Sequence, residues 1–467
     1  MKNFEHTLSA STALELLADY AVCLLAVMAV ESLWHGGTPG LSNVRPVLAG
    51  ITLPELLAPA LFPLLFAMAG VYRNCDQPGS LSRRVRRVLL AVGLGMGVVY
   101  LALHAQLGDE HALALTAGAM PLIALGSVAI RRLSDVARGG QVGARRVLIV
   151  GTGEAALALT RDIAPTGRVI VGYCPAGPQG ETDHVQDLAA PVFAPDLPID
   201  EITRLHRVDE VVVALRDRRG GVLRMDQLLA CRSQGVAVLD LAGFIERTKG
   251  EVPVDSLTTS WLVYGHGFEQ GPARTQLKRL ADLLGATCLL TLATPIMMLT
   301  ALAVRLDSPG DIIFRQERVG LAGRRFMCLK FRSMRTDAEH DGRARWAVKN
   351  DSRVTRVGAV IRKLRIDELP QLINVLKGEM SLVGPRPERP CFVEQLGKLI
   401  PYYAIRHSVK PGLTGWAQVR YRYGASVDDA RRKHRFDLYY VKNHSLLLDL
   451  QVLMETVSVV VFGEGAQ

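Results

Sequence analysis

The chain opens on four long apolar stretches, Ala13–Trp34, Val47–Val71, Val88–Leu107 and Ala112–Ile130. Each is close to the roughly 20 residues that carry a helix across a bilayer. Only Gly108-Asp109-Glu110-His111 joins the third to the fourth, closer spacing than soluble helices keep. The pattern predicts a four-helix transmembrane unit over residues 1–144. The first stretch is not a cleavable signal, because its flank is weakly basic and three more apolar segments follow. The rhythm then changes. Arg145 to Ala156 reads as strand, tight turn and helix, and further β-rich runs at Val169–Tyr173, Val208–Ala214 and Val236–Leu241 alternate with helical stretches near Glu201–His206 and Met225–Arg232. That alternation predicts a parallel, Rossmann-like α/β domain over residues 145–245. An irregular stretch over 246–271 reads as a linker. A fifth apolar run, Leu283–Val304, opens a second, basic half over residues 272–467. The last run, Val452–Phe462, is too short to span and reads as a packed or membrane-surface helix.

Composition supports a membrane chain with anionic partners. Of 467 residues 49% are hydrophobic, the mean hydropathy is +0.19, the pI is near 9.4 and the net charge is +10. Phospholipid, nucleotide or nucleic acid would suit that charge. Aromatics at 6% give few platforms for base stacking, so no nucleic-acid partner is expected. The seven cysteines contain no Cys-x-x-Cys, which argues against a zinc site or disulfide framework. Arginines set the orientation. Arg73, Arg83, Arg84, Arg86 and Arg87 lie between the second and third stretches, and Arg131, Arg132, Arg138, Arg145 and Arg146 follow the fourth. By the positive-inside rule both ends of the unit, and everything after Arg131, face the cytoplasm.

The middle domain begins Val150-Gly151-Thr152-Gly153-Glu154-Ala155-Ala156, a relaxed dinucleotide fingerprint. A ribose-binding acid belongs at the end of the second strand. That strand ends Gly172-Tyr173-Cys174 instead. The domain therefore reads as structural or regulatory, with no bound cofactor expected.

The fifth run is long enough for a straight crossing. Lys278 and Arg279 precede it, Arg305 follows it and Thr294-Pro295 sits in its middle. Proline removes a helix hydrogen bond and bends the axis. A helix that enters, breaks at Pro295 and returns would explain the basic residues at both ends. A straight span is the usual solution, because a broken helix leaves backbone groups unpaired in lipid. Periodicity alone leaves both open.

The chemistry concentrates in Arg365-Ile366-Asp367-Glu368-Leu369-Pro370-Gln371-Leu372. Two adjacent carboxylates stand at the start of a helix, with Pro370 in its first turn and Gly378 as its stop. A helix N-terminus welcomes phosphate. Arg386 follows, its backbone restricted between Pro385 and Pro387. Carboxylates, a phosphate-friendly helix end and a rigid arginine suggest phosphoryl transfer. The bland reading of Asp367 and Glu368 is a pair of charges capping the helix dipole.

These residues belong to an ordered set: Gln316-Glu317-Arg318-Val319-Gly320, Lys330-Phe331-Arg332-Ser333-Met334, Asn350 to Gly358, the dyad, Gly384 to Pro387, and Pro411 to Trp416. Over about residues 278–449 the set closely resembles the bacterial polyprenyl-phosphate glycosyl-1-phosphate transferases. The preceding unit and α/β domain look like the large initiating members, which build exopolysaccharide, capsule or O-antigen. The resemblance implies a bacterial inner-membrane enzyme. It would move a sugar-1-phosphate from a UDP-sugar to undecaprenyl phosphate and release UMP. It implies a re-entrant anchor broken at Pro295, with Thr294 where the family often has Ser. It implies a ping-pong path in which Asp367 attacks phosphorus. Glu368 is assigned to metal positioning or proton handling. Magnesium is expected, with Asp367 and Glu368 as its ligands, since it favours few carboxylates plus phosphate oxygens. The Pro385-Arg386-Pro387 loop would contact the nucleotide. Lys330, Arg332, Arg353 and Arg362 are candidates for a phosphate cradle, with Asp351 holding the arginines. Large members also suggest a homodimer.

Two other classes remain to be weighed. A membrane-tethered nucleotide-sugar oxidoreductase or dehydratase would need Tyr-x-x-x-Lys in the α/β domain, and none occurs. A non-catalytic scaffold would make the dyad dispensable. His434 and His444 have no motif partner and read as structural or surface residues, and Trp416 as either core or an interfacial anchor.

Overall fold

The computed structural model describes residues 10–34, 53–68, 71–72, 80–107, 109–139, 145–163, 168–175, 188–215, 224–254, 267–268, 271–336, 351, 353–421, 424 and 426–462. The chain forms two compact units, Met1–Thr248 and Lys249–Gln467.

In the first unit the apolar stretches become helices α1 (Ala10–Trp34), α2 (Leu53–Met68), α3 (Ser80–Leu107) and α4 (Asp109–Gly139). They pack as a ring, α1 on α2 and α4, α3 on α2 and α4. The burial pattern is inverted relative to a soluble bundle. Leu14, Leu17, Leu25 and Leu125 face outward, while Glu15, Asp19, Glu31 and Arg131 are buried. Arg131 donates to both carboxylate oxygens of Asp19, and the Tyr72 hydroxyl donates to Asp19 Oδ2 at 2.7 Å. At the other end of α1, His111 pairs with Glu31 at 3.0 Å and stacks on Trp34. Leucines outside and paired charges inside suit a lipid surround. Among the described residues three helices are long and apolar enough to cross a membrane: Leu14–Trp34, Glu110–Ser134 and Pro272–Asp307. The predicted stretch Val47–Val71 falls partly outside the described residues, as do Arg73 and Gly108.

The α/β part holds β1 (Arg146–Val150), α5 (Glu154–Ile163), β2 (Val169–Cys174), α6 (Ile199–Leu205), β3 (Glu210–Val213), α7 (Met225–Ser233), β4 (Ala237–Asp240) and α8 (Leu241–Lys249). The strands form a parallel sheet in the order β2-β1-β3-β4. The turn after β1 needs its glycine, because Gly151 has φ +124° and a Cβ there would sit 2.7 Å from the Ala214 carbonyl oxygen. Glu210 is buried at the start of β3, bonded by Arg145 at 2.6 Å and Arg168 at 3.0 Å, with Arg247 at 3.7 Å.

The stretch read as a linker from residue 246 starts inside α8. Val252 and Val254 then join the core of the second unit, and the Trp416 indole donates to the Gly250 carbonyl at 2.7 Å. Apolar residues too few to show a period still found a core to enter. Residues 255–266 and 269–270 of that stretch lie outside the described residues.

The second unit begins with α9 (Pro272–Asp307), followed by the antiparallel pair β5 (Ile313–Val319) and β6 (Arg325–Phe331) and by α10 (Arg356–Lys363). A 3₁₀ turn (Ile366–Glu368) leads into α11 (Gln371–Lys377) and β7 (Ser381–Val383). Then come α12 (Pro390–Leu399), β8 (Gly412–Thr414, parallel to β7), α13 (Trp416–Arg420), α14 (Val427–Asn443) and α15 (Leu446–Phe462).

α9 is one helix, not two: Pro295 lies inside it without ending it. Proline forfeits one hydrogen bond, and the turns on either side carry the helix through. The Thr294 hydroxyl bonds the Leu290 carbonyl at 2.7 Å. The base of α9 is welded to the unit: Arg279 caps the end of α11 through the Val375 and Leu376 carbonyls, and Asp282 accepts from Ser381 and Leu382. Further along, Leu292, Met298, Leu299, Leu302 and Leu306 are exposed. The last helix, α15, packs through Leu448 and Val452, and Trp416 is core.

Candidate active site

The dyad does not open a helix directly. It occupies the 3₁₀ turn, and α11 starts three residues after Glu368. A 3₁₀ turn spaces neighbours by about 120°, so the two carboxylates diverge even more than on an α-helix. Arg365 precedes the turn at φ +58°, a left-handed conformation that costs a non-glycine residue roughly 1 kcal/mol or more. Gly378 ends α11 at φ +85°. Asn374 ties α11, which follows the turn, to β6. Its side chain accepts from Leu329 N–H at 3.0 Å and donates to the Met327 carbonyl at 2.8 Å.

Both carboxylates are 8% exposed, yet their surroundings differ. Glu368 Oε1 receives Arg386 Nη2 at 2.7 Å, with Lys330 Nζ at 3.5 Å and Arg365 Nη1 at 3.8 Å. Burial would raise its pKa, but Arg386, Lys330 and Arg365 outweigh burial and hold it well below the usual range. Asp367 Oδ1 is buried with no hydrogen-bond partner. Burial first, then the Glu368 charge, push the Asp367 pKa up, with Lys330 and Arg386 opposing. Burial and the Arg386 charge pull Lys330 down against Glu368, while Glu368 pushes Arg386 up. One carboxylate is thus saturated with positive charge, and its neighbour keeps a bare oxygen.

Of the predicted residues, the structure brings Asp367, Glu368, Lys330 and Arg386 together. Pro385 and Pro387 flank Arg386 in a loop whose close backbone approach needs glycine. A Cβ on Gly384 would collide with the Lys410 carbonyl. Arg332 is turned elsewhere: Nη2 bonds the Ser308 carbonyl at 2.6 Å and its hydroxyl at 3.1 Å, capping the end of α9. Arg353 is clamped by Asp351 at 2.8 and 2.6 Å. That bond, with Arg362 nearby, lowers Asp351 to about 2. Sequence shows that these side chains are basic; only the fold selects their partners. Asn350 and Ser352 lie outside the described residues. His434 is buried, its pKa pushed down to about 3 by burial and by Arg406.

Sequence reasoning quoted Arg365 and Arg318 within motifs without giving them a role, and missed Asn374, Arg406 and Asp437. Arg365 had a signal, since i to i+3 spacing on a turn brings it to Glu368. Arg406 and Asp437 had none, being 31 residues apart and paired only by the fold.

Among the described residues no group of three acidic, histidine or cysteine side chains could hold a metal unaided. The bare Asp367 oxygen fits a magnesium ion that takes its other ligands from phosphate and water. Glu368 Oε1 is already matched by cations and fits it less well.

The sequence profile of the family described as Bacterial sugar transferase matches residues 273–463. A UDP-glucose:undecaprenyl-phosphate glucose-1-phosphate transferase of Xanthomonas campestris pv. campestris is 31% identical over 455 residues, 93% of this chain and 89% of the relative. A UDP-N-acetylgalactosamine-undecaprenyl-phosphate N-acetylgalactosaminephosphotransferase of Aeromonas hydrophila is 44% identical over 261 residues, 56% of this chain but only 61% of the relative. A UDP-glucose:undecaprenyl-phosphate glucose-1-phosphate transferase of Escherichia coli strain K12 is 45% identical over 183 residues, 39% of each chain. With the profile spanning the dyad and its arginine loop, and a relative aligned along nearly the whole length, this chain belongs to the bacterial sugar transferase family.

Proposed function

We propose that the chain transfers a sugar-1-phosphate from a UDP-sugar to undecaprenyl phosphate, giving a polyprenyl-diphosphate sugar and UMP. The names of its relatives support the substrates and the reaction. The observation that carries the chemistry is the buried, unpartnered Asp367 Oδ1 beside a cation-matched Glu368.

The path is ping-pong. An Asp367 oxygen bonds the sugar-linked phosphorus, and the phosphorus–oxygen bond to UMP breaks with its electron pair leaving on UMP. An oxygen of the lipid phosphate then bonds the same phosphorus and expels the aspartate. Splitting the transfer keeps two polyanions from meeting before either has lost charge. Arg386 and Lys330 face the developing charge on the diphosphate, and their grip on Glu368 keeps them aimed. Asp367, with Glu368 near it, would hold magnesium, whose charge would neutralise diphosphate oxygens.

The second unit sits on the cytoplasmic face of the inner membrane, where nucleotide sugars are. α9 enters the bilayer and returns, bent at Pro295 within a continuous helix. Lys278, Arg279 and Arg305 near its two ends support this reading. α1 to α4 span the membrane with both ends inside, the α/β part is structural or regulatory, and the protein works as a homodimer, as the resemblance to large members implies.

The test incubates membranes bearing the protein with undecaprenyl phosphate, magnesium and a panel of UDP-sugars, and measures UMP. At least one sugar should release UMP with wild type and none with Asp367→Asn. An Asp367→Asn protein that works at the original rate, or labelling that puts Asp367 on the periplasmic side, overturns the reading.

A further inference from the structure

The Pro385-Arg386-Pro387 segment has no regular secondary structure, yet each of its three carbonyls is held from outside. Gly412 N–H donates to the Pro385 oxygen at 2.9 Å. Arg406 Nη2 donates to the Arg386 oxygen at 2.9 Å, and Arg318 Nη1 to the Pro387 oxygen at 3.1 Å. Two of the three donors are guanidinium groups from distant parts of the chain.

Arg406 is 5% exposed, and its charge is matched by Asp437 Oδ2 at 2.8 Å, itself on a residue 3% exposed. Its Nη1 donates to the Tyr403 hydroxyl at 2.7 Å. A buried ion pair of this kind is a weak source of stability, since two apolar side chains of equal volume often serve the fold as well. An apolar pair cannot hold a backbone oxygen. The bond to the Arg386 carbonyl is therefore the feature that needs Arg406. Prolines on both sides limit φ at two of three positions, and the clamped carbonyls fix the peptide planes that remain free. With its backbone fixed, the Arg386 side chain meets Glu368 at 2.7 Å without searching other directions.

We infer that Arg406, locked by Asp437, is a positioning residue that acts through Arg386 and sets its guanidinium for the donor diphosphate, with Arg318 as the second arm of the same clamp. The inference rests on the transfer reading above and adds residues that touch no substrate. Displacing a charged group by about 1 Å can cost a reaction roughly 100-fold, so a loosened Arg386 is felt at the donor.

The experiment uses the full-length protein and compares wild type, Arg406→Met, Arg406→Lys, Arg386→Ala and Arg406→Met combined with Arg386→Ala. It measures kcat, KM for the UDP-sugar and KM for undecaprenyl phosphate. Arg406→Met should raise the donor KM roughly tenfold and leave the acceptor KM unchanged, because only the donor meets Arg386. Arg406→Lys, which keeps the charge beside Asp437, should recover most of the loss. In the Arg386→Ala background Arg406→Met should add little, since the two residues act in series. Equal rises in both KM values, a fall in active fraction alone, or a full additional loss in the double variant overturns the inference. Should Arg406→Met fail to fold, by its melting curve, Arg406→Lys reads the same donor-only shift at smaller size. A wild type that releases no UMP sinks the transfer reading instead. The clamp is then decided by UMP affinity, which Arg406→Met and Arg386→Ala must lower alike.

Discussion

Glu210 in the α/β part and Glu368 in the second unit are alike in isolation. Each is a buried carboxylate ringed by three basic side chains, Arg145, Arg168 and Arg247 for the first and Arg386, Lys330 and Arg365 for the second. In each, burial raises the pKa and the cations more than reverse it. Each is preceded by an aspartate, and it is there that they differ. Asp209 is exposed and its Oδ2 accepts from the Arg146 N–H at 2.7 Å, whereas Asp367 is buried and its Oδ1 has no partner. A matched carboxylate fixes structure. A matched carboxylate beside an unmatched one leaves a buried acidic oxygen close to basic side chains with no protein donor bonded to it, which suits the role proposed for Asp367. The buried Asp19–Arg131 pair of the helical unit falls on the structural side of that line, with both carboxylate oxygens bonded.

The largest test of this contrast is Asp367→Asn. Sugar-phosphate transfer should fall by roughly three to six orders of magnitude if Asp367 has the nucleophilic role proposed above. The fold should gain. A carboxyl whose pKa is raised by folding stabilises only while protonated, and that contribution is gone by neutral pH. Removing the unpartnered charge should therefore stabilise the second unit by about 1 kcal/mol, seen as a higher melting temperature. A loss of both activity and stability would place Asp367 among structural acids.

Glu210→Gln should do the opposite. Breaking a fully buried ion pair costs roughly 3–5 kcal/mol. The Arg145 side chain is 43% exposed and can regain water, so about 2 kcal/mol of lost stability in the first unit is expected. The donor KM of the folded protein should not move. Any shift in it would mean that the α/β part governs the site.

The smallest effect is on the acid side of the pH profile. Activity should fade as pH drops through the raised Asp367 pKa, above its ordinary 3.8. Glu368 and Glu210 are held below their ordinary 4.5. Their contributions to stability are complete above 4.5 and fade only as pH falls through the lowered folded values. Transfer should thus be lost at a higher pH than the fold, in rate profiles set beside melting curves. Coincident losses would erase the distinction between the two carboxylates.

Much of this was legible in the chain. Apolar length marked α1, α4 and α9, and β-rich runs marked the four parallel strands, because both signals depend on local sequence alone. Asp367-Glu368-Leu369-Pro370 and Pro385-Arg386-Pro387 announced themselves through residues whose backbone limits and charges are local properties. Partner choice is not local. Lys330 is on β6 and Arg332 lies just past its end, two residues on, yet one meets Glu368 and the other caps α9. That Arg406 and Asp437 join behind the arginine loop, that Trp416 is core, and that Asp367 rather than Glu368 keeps the bare oxygen were decided by packing. Burial and distance between segments far apart in sequence exist only once the chain has folded.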